Sequence, residues 1–237
     1  MPLFHRDKKR GHRFKKEMKR CLHRTVAFTL LELLVTIGII AILVAVALPA
    51  LSAAIRYADC TGCCARMRSL GIAFMSYSSD HNDQLPGRVE GAGNNKWPVL
   101  LYPYVQDPKC YADPGDPVAS TVPSTNMVSN NGNNSSFFFN GFNDLGFYTN
   151  STGSLGMVNL GNLSSLILLG QKIHGSTEYY MDFVEGNEND VLDKTAYFNG
   201  ANYVYADGSA RFVPLASYTN TDWLVNQSYV IPVVPGH

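Results

Sequence analysis

Apolar and polar positions follow three successive regimes along this chain. From Leu33 to Leu51, nineteen residues pass without a charge, with only Thr36, Gly38 and Pro49 as mild interruptions. At about 1.5 Å rise per residue an α-helix over this stretch spans roughly 28 Å, close to the hydrocarbon thickness of a bilayer. The run stays uncharged to Ile55, and beyond it the pattern turns amphipathic. Cys60, Cys63 or Cys64, Met67, Leu70, Phe74 and Tyr77 recur at steps of three and four. Arg56, Asp59, Arg66 and Arg68 lie between them, which makes the stripe of a helix packed on one side. The two regimes join into one helix predicted from about Phe28 to near Ser79. Pro49 predicts a kink in it and Thr61-Gly62 a bend or brief melting, since an interior Gly costs about 1 kcal/mol against Ala.

The third regime begins at Asp80-His81-Asn82-Asp83-Gln84-Leu85-Pro86-Gly87, a cluster of helix stoppers and turn formers. From there short apolar runs alternate with turn signals, which reads as strands and long loops. Asn126 to Gly161 reads as a loop anchored by Phe137-Phe138-Phe139. Ala201 to Ala206 and Ser209 to Val213 flank Asp207-Gly208 and predict a hairpin with a two-residue type I′ turn. In that register Tyr203 faces Phe212 and Tyr205 faces Ala210 on a buried aromatic face, with Val204 and Arg211 on the other. The fold class expected is α+β: a long N-terminal helix, half transmembrane and half amphipathic, packed on a C-terminal antiparallel β-sheet with long loops. Its segments are a basic leader (1–27), a transmembrane and assembly helix (28–55), an amphipathic continuation (56–80) and an exported β-rich domain (81–237).

Charge changes this picture by giving it an orientation. The formal net charge is zero, yet residues 1–27 hold ten Lys and Arg against Asp7 and Glu17, while the remainder holds nine against seventeen Asp and Glu. A basic block just ahead of a spanning helix keeps that end in the cytoplasm and exports the rest. The block resembles a nucleic-acid arm in composition alone; topology signalling accounts for it, and no nucleic-acid partner is expected.

Glu32 is the position this reading has to explain. A charge at the centre of a spanning helix costs about 2.5 to 3.5 kcal/mol on insertion scales, and less near an end where the side chain reaches the headgroups. A snorkelling carboxylate is one explanation; the other is pairing with a cation in the membrane, the nearest being an amino terminus made by a cut before Phe28. Ala27-Phe-Thr-Leu-Leu-Glu-Leu-Leu-Val-Thr-Ile-Gly-Ile-Ile-Ala-Ile-Leu-Val-Ala-Val-Ala-Leu-Pro49 resembles the class III signal of type IV pilins and type II secretion pseudopilins. In that family a prepilin peptidase on the cytoplasmic side removes the leader and methylates the new N-terminal Phe, so the resemblance implies a cut between Ala27 and Phe28. It also implies that Glu32 offsets the amino terminus of a neighbouring subunit during assembly. The family normally has Gly before the cut, where this chain has Ala27.

A second resemblance lies near the C-terminus. Asn199-Gly-Ala-Asn-Tyr-Val-Tyr-Ala-Asp-Gly208 is similar to the signature of pilin-like proteins whose C-terminal domain is named for a His, nine residues, then Asp-Gly. Tyr197 stands at the His position, so no chemistry of that His is carried over. The later Cys-Pro of these proteins appears here as Asp113-Pro114, with Cys110 three residues upstream.

Cysteine usage fits export. Cys21 lies in the leader, and Cys60, Cys63, Cys64 and Cys110 lie beyond the membrane, where disulfides persist. Four cysteines allow three complete pairings. The favoured bridge joins Cys110 to Cys64 or Cys60, because cysteines four apart on a regular helix lack bridging geometry. A metal or redox reading of Cys60-x-x-Cys63-Cys64 lacks a second ligand pair. Asp182, Glu185, Glu188, Asp190 and Asp193 form the densest acidic stretch, oxygen donors of the type that holds Ca²⁺. Some secretion pseudopilins bind calcium in a C-terminal loop, but EF-hand spacing is absent here and a solvated acidic loop is the simpler reading. No other cofactor is expected.

With no Ser/His/Asp or Cys/His arrangement in motif context and no phosphate-cradling Gly loop, a structural, non-enzymatic role is expected. The resemblance implies its setting: a bacterial inner membrane, N-terminus cytoplasmic, with prepilin peptidase, other pilin-like subunits, an inner-membrane assembly platform and the lipid bilayer as partners. Two alternatives are an uncut signal-anchored surface protein and a soluble domain released by ordinary signal peptidase after Ala50-Leu-Ser-Ala-Ala54.

Overall fold

A computed structural model describes residues 28–87, 96–105, 107–116, 135–141, 162–181 and 188–223. The chain divides into two compact units, Met1–Leu48 and Pro49–His237. Helix α1, Leu30–Asp80, runs without interruption through Pro49 and Gly62, so the melting expected at Thr61-Gly62 does not occur. Gly62 lies against Pro114, whose Cγ stands 3.5 Å from where a Cβ would sit.

In the first unit every described residue from Phe28 to Leu48 is exposed, and α1 is long and apolar enough to cross a membrane. In the second unit the amphipathic stripe is buried as its spacing predicts: Cys63, Met67, Leu70, Gly71, Ala73, Phe74 and Tyr77 face the core. The helix stops at Asp80, where Asn82 and Asp83 take positive φ (54° and 60°). This left-handed backbone is tolerated best, after Gly, by Asn and Asp.

Five strands form one sheet in the order β3-β1-β2-β4-β5, with β1 Phe137–Asn140, β2 Ile167–Gln171, β3 Tyr180–Met181, β4 Gly200–Tyr205 and β5 Ala210–Pro214. The α+β class is therefore as expected, but the sheet is mixed and not purely antiparallel. The β1–β3 pair is parallel (Phe139↔Tyr180, Asn140↔Met181) and the other pairs antiparallel. Parallel pairing follows because the chain leaving β2 crosses to the outer side of β1 before it re-enters the sheet.

Phe137-Phe138-Phe139 is a strand, not the anchored loop expected, and β1, β2 and β4 are buried along their whole length. Continuous apolar runs such as Phe-Phe-Phe and Ile-Leu-Leu suit strands covered on both faces. One face packs on α1, where the Phe74 and Phe139 rings stack at 5.0 Å. The other packs a second cluster of Phe138, Ile167, Met181, Ala201, Tyr203, Tyr205 and Trp223.

The β4–β5 hairpin forms, but in a different register. Asn202 pairs with Phe212, Tyr203 with Arg211 and Val204 with Ala210. Its loop has three residues, Ala206-Asp207-Gly208, with bonds from the Gly208 N–H to Tyr205 O (2.9 Å) and from the Tyr205 N–H to Ser209 O (2.8 Å). Gly208 alone in the loop has positive φ (78°), which excludes type I′ and fits a type I turn closed by a left-handed Gly. The extra loop residue shifts β5 by one position and so exchanges its faces. Tyr203 shares its face with Arg211, and Phe212 lies on the α1 side.

Candidate functional site

Two constellations carry the polar chemistry of the described residues. The first is the start of α1. The Thr29 N–H and the Thr29 hydroxyl both donate to Glu32 Oε2 at 2.9 Å, and the Glu32 N–H donates to Thr29 Oγ1 at 3.2 Å. Thr29 is the residue before the helix and Glu32 its third residue, so the pair is a reciprocal capping box that satisfies otherwise orphaned N–H groups. The spacing Thr-x-x-Glu ahead of an apolar run was the available signal; reading Glu32 only as a charge passed over it. Both bonds reach Oε2, which leaves Oε1 outside the box. Phe28 is exposed, and Ala27 lies outside the described residues.

The second constellation is buried between the amphipathic part of α1 and the sheet. Asp113 follows the 3₁₀ turn Pro108–Tyr111. Its Oδ1 accepts from the Tyr197 hydroxyl and from the Gly115 N–H (2.9 Å), and its Oδ2 accepts from Gln171 Nε2. The Asp113 N–H donates to Ser136 Oγ at 2.9 Å. Gln171 continues the chain through its amide, with Nε2 3.4 Å from Cys63 Sγ and Oε1 accepting from the Asn202 N–H at 2.6 Å. Asn202 Nδ2 then donates to Cys60 O at 3.1 Å. One hydrogen-bonded chain thus ties α1, the Asp113 loop, β2 and β4. Tyr197, which stands at the His position of the signature the sequence resembles, and Asp113, which stands where those proteins have the Cys of Cys-Pro, are bonded to each other.

The four cysteines beyond the membrane segment are free thiols, and the candidate bridges from Cys110 to Cys60 or Cys64 are not formed. Burying Met67, Leu70 and Phe74 turns Cys63 inward and leaves Cys60 and Cys64 at the margins of that face. Cys110 sits beside Ser69 and Arg66. Burial, and then the Asp113 carboxylate, push the Cys63 thiol well up; burial also raises Cys60, Cys64 and Cys110. Raised pKa values keep these thiols protonated and make them poorer nucleophiles than an ordinary cysteine at neutral pH.

Beside the network lies a pocket of about 110 Å³ whose lining includes Arg56, Asp59, Asp113, Asp116, Lys172 and His174. Ser136 Oγ donates to Asp116 Oδ2 at 2.9 Å, and His174 Nε2 stands 3.8 Å from Asp116 Oδ1. Lys172 is 5 % exposed; burial lowers its pKa to about 8 against the pull of Asp116 and Glu178. Carboxylates and cations face one another here. Among the described residues no group of three or more His, Cys, Asp or Glu is placed to hold a metal ion. Of the calcium candidates, Asp182 and Glu185 lie outside the described residues. Asp190 is exposed, and Asp193 accepts from the Thr195 N–H at 2.8 Å.

None of the residues that join in the second network, apart from the cysteines, was singled out for chemistry by sequence reasoning, because Asp113, Gln171, Tyr197 and Asn202 belong to separate segments. The chain matches no family model, and comparisons with curated proteins and with solved structures likewise give no match. The long apolar helix and the small sheet packed on its amphipathic part are compatible with a pilin-like fold.

Proposed function

We propose that the chain is a non-enzymatic structural subunit of a pilin-like fibre or secretion pseudopilus, cut before Phe28 and polymerised through α1. The observation that carries this reading is the first half of the helix. From Leu30 to Ile55 its large apolar side chains are exposed on every side, and Glu32 is its one charge. A helix that is apolar all round is stable only in an apolar surround. A bilayer supplies that before assembly, and the same surface on neighbouring subunits supplies it afterwards. Prepilin peptidase, an inner-membrane assembly platform and other pilin-like subunits are the partners this role requires, with the N-terminus cytoplasmic.

The capping box favours one second reading, an uncut membrane anchor, because it gives Glu32 a task within its own helix. Mass spectrometry of the chain purified from membranes separates the two. A methylated N-terminal Phe28 is the expected result, an intact Met1 means the anchor, and an N-terminus near Ile55 would sink both.

A further inference from the structure

The amphipathic part of α1 and β4 run side by side in the same direction. Asn202, near the start of β4, bonds to Cys60, while Gly208 just beyond its end lies against Gly71. The segment leading into β4 therefore lies at the end of the globular unit where the uncharged run of α1 finishes at Ile55. At that end four large apolar side chains are left exposed. Tyr57 is 62 % exposed, Phe198 37 %, Phe212 38 % and Leu215 38 %.

They gather about the turn that carries Phe198. The Tyr57 and Phe198 rings lie 4.2 Å apart. Phe212 covers Gly200, where a Cβ would fall 2.5 Å from its ring, and the Leu215 N–H donates to Asn199 O at 2.8 Å. Phe198 is presented at a backbone cost. It occupies a two-residue turn closed by reciprocal 3.0 Å bonds between Tyr197 and Gly200, and its φ is +52°, a conformation that is an outlier for a bulky side chain. A polar or small residue would fit this solvent-side turn with less strain. Arg56, the first charge after the apolar run, holds its guanidinium 5.1 Å over the Phe198 ring.

Aromatic rings at the end of a spanning helix, with an Arg among them, are the composition of a bilayer's headgroup layer contact. We propose that Tyr57, Phe198, Phe212 and Leu215 seat the globular unit on the headgroup layer of the membrane that α1 crosses, with Arg56 reaching lipid phosphate. This rests on the reading of α1 as a spanning helix.

The test uses the full chain carrying Phe198→Trp in phosphatidylethanolamine/phosphatidylglycerol vesicles. Trp97 and Trp223 are fully buried, so emission added over wild type reports position 198. Lipids brominated near the headgroup should quench most of the added emission, those brominated at the chain ends should leave it, and aqueous iodide should lose most of its effect relative to detergent solution. Tyr57→Trp is the second probe, should the turn reject Trp, and is expected to give the same depth profile. Unhindered iodide quenching overturns the proposal. So does shielding from iodide without bromine quenching, which means that a second copy covers the patch. Resistance of the chain to alkaline extraction is scored in the same vesicles. A chain that resists while position 198 stays open to iodide loses the seat and keeps the spanning helix, and a chain that is extracted loses both.

Discussion

At the scale of single residues, burying a cation in the second unit has an energetic consequence that Lys172 shows. Its pKa of about 8 lies below the ordinary lysine value of about 10.4. Between those values the unfolded chain keeps a proton that the folded chain has released, so stability rises with pH across the window. The stabilisation is complete above the unfolded value and is lost as pH falls through the folded one. A shift of this size corresponds to roughly 3 kcal/mol. The raised thiols of the cysteines and hydroxyls of Tyr197 and Tyr203 act in the opposite sense, so the single-site effect is read as a difference. Denaturant unfolding of wild type and Lys172→Met in detergent should give a stability gap that moves in favour of wild type by roughly that 3 kcal/mol from just below pH 8 to above pH 10. A gap that stays flat with pH would mean that Lys172 is solvated in the native chain.

Among the elements, the contact of α1 with the β4–β5 hairpin depends on a missing side chain. A Cβ on Gly71 would fall 2.5 Å from the Gly208 carbonyl oxygen and 3.0 Å from Val204 Cγ1, and neither the turn backbone nor the β-branched Val gives way easily. Gly71→Ala should therefore destabilise the second unit by about 1 to 3 kcal/mol, the usual cost of overpacking, although Ala is the better helix former by about 1 kcal/mol. Thermal unfolding of the variant checks this, and an unchanged or higher midpoint would show that the hairpin is free to move off the helix. Gly71 lies within a helical stripe whose period was plain in the sequence, as were the uncharged run and the stop after Asp80. Strand order was not legible, because β1 and β3 carry no signal that they pair in parallel. Phe137-Phe138-Phe139 looked like a loop anchor because its neighbours are Asn and Ser, and burial on both faces leaves no alternation to read. The hairpin was visible but its register was not: Asp-Gly is common to two-residue and three-residue loops, and only the placement of Ala206 in the loop decides between them. The Asp113–Gln171–Asn202 chain was illegible for a simpler reason, since hydrogen bonds between segments dozens of residues apart leave no local spacing.

For the whole molecule, the question is what Glu32 does in an otherwise uncharged helix half: the structure shows one task, the proposed assembly role adds a second, and a single substitution would confuse them. Its Oε2 closes a capping box with Thr29, a local task that a glutamine performs as well. Pairing with a neighbour's amino terminus requires the charge, which glutamine lacks. Glu32→Gln should insert, keep a capped α1 and fail to enter polymer. Glu32→Ala should fail as well and also lose the box, and Thr29→Ala should assemble with a helix start weakened by about 1 kcal/mol. Cross-linking of each variant co-expressed with wild type reads incorporation, and alkaline extraction reads insertion independently. Incorporation of Glu32→Gln at the wild-type level, with Glu32→Ala excluded, would assign Glu32 to the cap alone and remove the charge-pairing step from assembly. Wild-type incorporation of Glu32→Ala would remove both tasks. The charge-pairing role stands only if Gln and Ala fail alike while Thr29→Ala succeeds, because that pattern follows the carboxylate's charge and not its hydrogen bonds.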